Sequence, residues 1–104
     1  MKNLIIAIGI TWLVTACAVS NRFQPEEKNL AAMQQKIPGV SIESLKEGYA
    51  AYKRNCSSCH RLYHPTEFDR SKWNKELNEM FPKAKIIDPA TQNKIKNYLY
   101  AMAK

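Results

Sequence analysis

The chain has 104 residues, 45% of them hydrophobic, enough for a single domain with a core of its own. Sixteen Lys and Arg against nine Asp and Glu give a formal net charge of +7. That charge suits acidic proteins, anionic lipid headgroups or nucleic acid as partners, and the lack of internal repeats excludes a repeat array.

Residues 1–16 read as a secretory signal. Lys2 supplies a positive start, Leu4 to Val14 is an almost unbroken apolar run, and small residues precede Cys17. An apolar run of about 11 residues is too short for a bilayer span, which takes roughly 20. No polar face alternates with it, as it would in a buried amphipathic helix. Val14-Thr15-Ala16-Cys17 resembles the bacterial lipobox. The resemblance implies lipidation of the Cys17 thiol, cleavage before it, and acyl chains in a membrane, each buried methylene contributing about 0.8 kcal/mol. The competing reading is an ordinary secreted protein with an unlipidated cysteine. Ala18 is not the aspartate associated with inner-membrane retention. The expectation is therefore a lipid-anchored protein of the bacterial cell envelope, facing the periplasm, with the outer membrane favoured. Removing the signal takes away Lys2 and leaves 88 residues with a formal charge of +6. Export also removes nucleic acid from the partners that the charge alone allows.

From Ala18 to Val40 the sequence is polar and interrupted by Pro25, Pro38 and Gly39. With Cys17 it reads as an anchor and tether, residues 17–40, containing one helical stretch through Leu30 and Met33. The domain proper is 41–104, and it reads as three helices. Ser41 or Ser44 caps the first, with Ser44 and Glu47 spaced as a capping box. Leu45, Gly48, Tyr49 and Tyr52 then share one face. Ser71 caps the second, which carries Trp73, Leu77, Met80 and Phe81 on one stripe and ends at Pro82. Asp88 and Pro89 start the third, with Ile95, Tyr98, Leu99 and Met102 as its stripe. No alternating strand pattern is visible, so the expected fold class is all-α. A domain of 64 residues rarely obtains more than about 3–5 kcal/mol from its core, and small domains of this kind usually carry a staple.

Cys56-Ser57-Ser58-Cys59-His60 supplies a candidate for one. C-x-x-C-H is the attachment sequence of c-type haem. Two thiols separated by two residues can reach the two vinyl groups of a porphyrin, and the adjacent histidine then lies below the ring, where its imidazole can ligate iron. Cys56 and Cys59 are thus the expected thioether positions of one covalent haem c, and His60 its proximal iron ligand. A thioredoxin-like redox pair would need a βαβ context that is absent. A zinc site of Cys56, Cys59, His60 and His64 would crowd four ligands into nine residues, whereas the usual pattern separates two ligand pairs by a dozen or more. A plain disulfide would leave the small core unsupported.

His64 lies too close to His60 to reach the opposite face of a macrocycle, which leaves Met33, Met80 and Met102 as candidates for the sixth ligand. Met33 falls in the tether, and Met80 and Met102 each also fit a hydrophobic stripe. Residues 44–101 resemble the small monohaem class I cytochromes c. The matching elements are Gly48 and Tyr52, Cys56-x-x-Cys59-His60-x-Leu62, Pro65, Trp73 with Met80 seven residues on, and Ile95-x-x-Tyr98-Leu99. The resemblance implies a small helical domain wrapped around one covalent haem, with Met80 as axial ligand and Met102 in reserve. It also implies that the helix carrying Gly48 crosses the final helix. Pro65 is the nearest backbone carbonyl expected to accept from His60 Nδ1. Tyr52, Tyr63, Phe68, Trp73 and Phe81 are expected around the haem.

Methionine and histidine ligation raises the reduction potential and leaves no open iron position. The expected function is single-electron transfer rather than catalysis, with no small-molecule substrate. Redox proteins with acidic surfaces are the expected partners, and Lys72, Lys75, Lys83, Lys85, Lys94 and Lys96 are candidates to steer them. The alternative is a haem-based ligand-binding or sensor protein with an open distal site.

Overall fold

The computed structural model describes residues 23–57 and 60–104. The signal segment, Cys17 and Cys59 lie outside the described residues. The described residues form four α-helices: α1 (Leu30–Lys36), α2 (Ile42–Cys56), α3 (Arg70–Lys83) and α4 (Pro89–Met102). Short 3₁₀ turns cover Glu27–Asn29 and Pro65–Glu67, and no strand occurs among the described residues. None of their helices is long and apolar enough to cross a membrane.

The helix starts follow local chemistry. Ser41, rather than Ser44, caps α2 by accepting from the Ser44 backbone N–H at 3.1 Å. Glu47 is therefore not used in a capping box; its carboxylate pairs with Lys94 on α4 at 3.2 Å. α3 begins one turn-fraction earlier than Ser71 implies, because the Asp69 carboxylate accepts from the Lys72 N–H at 2.8 Å. An ionised carboxylate is the stronger partner for the positive end of a helix. Asp88 caps α4 as expected, bonding the Thr91 N–H at 3.1 Å and its hydroxyl at 2.8 Å. α3 runs one residue past Pro82 and closes with crossed bonds, Ile86 N–H to Phe81 O at 2.9 Å and Lys85 N–H to Pro82 O at 3.1 Å. That is the Schellman ending, and it puts Lys85 at φ 59° where glycine is usual.

α4 is the centre of the packing, with α2, α3 and α1 all laid against it. Leu45 and Tyr52 of α2, Trp73 and Leu77 of α3, and Ile95, Tyr98 and Leu99 of α4 are wholly buried. The stripes read from the sequence are thus the faces that meet. Gly48 marks the crossing of α2 with α4: a Cβ there would lie 2.2 Å from the Lys94 carbonyl oxygen and 2.7 Å from Tyr98 Cβ. Part of the segment expected as tether is folded onto this body. Met33 of α1 is 4% exposed and packs with Val40, Ile42, Leu45 and Ala101. Gly39, at φ 77°, turns the chain from α1 into α2.

Candidate functional site

Cys56 occupies the last position of α2, and Met80 and Lys83 the last turn of α3. Together with Asn55, His60 and Ala84 they line an apolar cavity of about 90 Å³. The thiol of Cys56 is buried, and Met80, half-buried, packs against the main core. Three of the residues singled out in the sequence, Cys56, His60 and Met80, therefore converge on one space although 24 positions separate the first from the last. Met102 does not share it. That side chain lines a separate cavity with Met33, Lys36 and Ala101, on the side of α4 that faces α1.

His60 Nδ1 lies 2.5 Å from the carbonyl oxygen of Arg61. A carbonyl can only accept, so the contact requires the ring proton on Nδ1 and leaves the Nε2 lone pair for a metal. The expected partner, Pro65, is engaged elsewhere: its carbonyl accepts the buried Trp73 indole N–H at 2.7 Å. An indole N–H that is buried needs an acceptor, and Trp73 is wholly enclosed beneath this loop. His64 does not face the cavity. Its Nδ1 accepts from the Thr66 N–H at 3.2 Å, and its ring meets the Phe23 ring at 4.9 Å, tilted by 54°. Among the described residues no three His, Cys, Asp or Glu side chains gather into a metal cluster.

The aromatic residues expected around the haem do not line the cavity; Tyr52, Tyr63, Phe68 and Trp73 support the loop that carries His60, and Phe81 lies in the core on α3. The His60 and Tyr63 rings lie 4.7 Å apart, Tyr63 and Phe68 5.5 Å, and Phe68 and Trp73 4.9 Å. Trp73 meets Tyr52 edge-on at 6.0 Å, and the Tyr52 hydroxyl donates to the Tyr63 carbonyl at 2.6 Å. Burial pushes the Tyr52 hydroxyl well above its ordinary pKa, with the neighbouring Cys56 and Glu67 adding to the effect. Tyr52 is thus a neutral donor that ties α2 to the loop. At the outer edge of the loop Arg61 holds Glu67 through two hydrogen bonds, at 3.2 and 2.8 Å, and this draws the Glu67 carboxyl below its usual range.

Of the six lysines considered for steering, Lys83 alone lines the cavity. Lys85 lines an adjoining hollow that shares Asn55. Lys94 is paired with Glu47, Lys72 lies 4.0 Å from Glu76, and Lys96 sits over the Phe81 ring at 5.9 Å. Asn55 is the lining residue that sequence reasoning missed. Its amide donates back to the Ala51 carbonyl at 2.8 Å, and its only sequence signal is its position beside Cys56.

A helical domain with a C-x-x-C-H motif whose thiol and imidazole face a methionine is a cytochrome c-like protein. Residues 52–104 match the family described as Dihaem cytochrome c, and the chain belongs to that family. The match supports the cytochrome c part of the resemblance drawn from the motifs, while the family it names is a dihaem one and not monohaem. No curated protein and no solved structure matches the chain.

Proposed function

We propose that the chain carries one covalently attached haem and serves as a single-electron carrier held to a bacterial membrane through Cys17. The convergence of Cys56, His60 and Met80 on one apolar cavity is the observation that supports this reading best. When bound, the haem supplies the one-electron couple of its iron. Cys56 and Cys59 would hold it as thioethers and His60 Nε2 would bind the iron, with the Arg61 carbonyl fixing the imidazole tautomer and orientation. Met80 would supply the sixth ligand. Its soft, neutral sulfur would favour the reduced state. The donors fit the group. The cavity itself, at about 90 Å³, is smaller than the roughly 300–1,000 Å³ of an ordinary ligand pocket.

The family is named for two haems, but this chain has three cysteines. With Cys17 in the lipobox, a single pair remains for thioethers, which supports a count of one. Filled axial positions leave no place for a substrate and favour electron transfer over catalysis or ligand sensing.

Mass spectrometry of protein matured in a host competent for cytochrome c assembly should show the mass of one haem added. The oxidised protein should display the weak sulfur-to-iron charge-transfer band, lost in Met80→Ala and retained in Met102→Ala. A colourless product with unmodified Cys56 and Cys59 overturns the haem reading. Carbon monoxide binding by the reduced wild type, with no such band, overturns the electron-carrier reading in favour of a sensor.

A further inference from the structure

The segment between the expected anchor and the domain follows a defined path. Phe23 rests its ring on His64, four residues past His60, and its carbonyl accepts the Tyr98 hydroxyl of α4. The chain then passes along α4, with Pro25 and Met33 buried. At the far end the Lys36 ammonium donates to the Ala103 carbonyl, and the Gln34 amide donates to the Val40 carbonyl at 3.1 Å. Tyr98 itself is wholly enclosed, and burial raises its pKa far above normal, so its hydroxyl remains a donor to Phe23 throughout the working pH range.

We propose that residues 23–40 act as a docked strap that shortens the membrane leash and moves its point of attachment to the haem side of the domain. The proposal rests on the reading of Cys17 as lipidated and Cys56–His60 as haem-bearing. It implies a redox partner that resides at the same membrane surface.

Chain geometry gives the argument its force. An extended chain spans at most about 3.5 Å per residue. A slack tether from Cys17 to Val40 would allow about 80 Å of reach. It would also attach at the start of α2, a helix of 15 residues and so about 22 Å long, whose opposite end carries Cys56. With the strap docked, only the six steps from Cys17 to Phe23 remain, a reach of about 20 Å. The attachment then falls on His64, in the same loop as His60. The haem-bearing loop is therefore held close to the bilayer, and a partner in the aqueous space far from the membrane lies beyond its range. The mature charge also draws the domain toward anionic lipid headgroups.

The test uses lipidated, haem-loaded protein on vesicles of phosphatidylethanolamine and phosphatidylglycerol that carry a headgroup fluorophore. Haem quenches such a fluorophore steeply with distance. Wild type should quench at least twofold more than a variant with twelve Gly-Ser residues inserted after Val19, which lengthens the leash and leaves the strap intact. Met33→Lys, which places a charge at a buried strap position, should lose quenching with an unchanged haem spectrum. Equal quenching by wild type and the lengthened protein overturns the proposal. Hydrogen exchange decides the docking independently of both the lipid and the haem: protected amides over Leu30–Lys36 are expected, and exchange as fast as in an unstructured peptide overturns it. Failure of the protein to float with vesicles also overturns the leash. Retained red colour in that fraction shows that the haem reading survives, whereas a colourless product indicts the haem reading by itself.

Discussion

Lys85 holds φ 59° immediately after α3, where a side chain crowds its own backbone. The strain persists because the next residue, Ile86, is buried and completes the crossed hydrogen bonds that close the helix. Lys85→Gly should relieve it and raise stability by roughly 0.5–1 kcal/mol, read as a higher denaturant midpoint with an unchanged haem spectrum. No local pattern announced this position, since Ala84-Lys85-Ile86 looks like any basic loop. The Cys56–His60 motif was legible because the chemistry it serves fixes its spacing within five residues. The partner of His60 Nδ1 was not, because sequence alone does not show which backbone carbonyl between residues 61 and 65 turns toward the ring. Only the burial of Trp73, which claims the Pro65 carbonyl, separates them.

Among the helices, α2 and α4 were readable because their apolar positions recur at helical spacing and polar caps precede them. Gly48 breaks the propensity rule in mid-helix, and the cost of about 1 kcal/mol relative to alanine is offset by the close approach of α4. Gly48→Ala should therefore destabilise the fold, by about 1–3 kcal/mol or more, because the helices must separate to admit the methyl group. A thermal melt of the holoprotein checks the sign: a gain in stability would show that the crossing is looser than described. Asp88 makes a related prediction through pH. Hydrogen bonds from the Thr91 hydroxyl and N–H hold its carboxyl below the ordinary value. Its contribution to stability is complete above the unfolded-state carboxylate pKa and is lost as pH falls through the lower folded value. Asp88→Asn should flatten that acid limb while leaving the slope near neutrality unchanged. α1 was less legible than these helices. Leu30 and Met33 offer only a short apolar period in a polar stretch broken by Pro38 and Gly39, and the residues that bury Met33, Leu45 and Ala101, come from distant parts of the chain.

At the scale of the whole molecule the balance of charge decides how the domain meets other proteins. The cationic side chains are alike in sequence, but the fold divides those among the described residues. Glu47 neutralises Lys94 and Glu76 lies near Lys72, both at the surface, so these pairs contribute little field at a distance. Lys83 borders the cavity, and Lys85 borders the hollow beside it, near Ile87, which at 83% exposed is the one large hydrophobic residue in the open among the described residues. Steering is a sum over unpaired charges near the docking face and is screened beyond about 8 Å at physiological salt. Lys83→Glu should therefore slow association with an acidic redox partner several-fold at low salt, and more than Lys94→Glu does, although each changes the net charge by the same amount. Raising the ionic strength should bring the two variants and the wild type together, because screening removes the long-range field and leaves the short-range contact. Stopped-flow electron transfer with a reconstituted acidic partner measures this directly. Equal slowing by both variants at every salt concentration would mean that net charge, and not the rim of this cavity, governs the encounter.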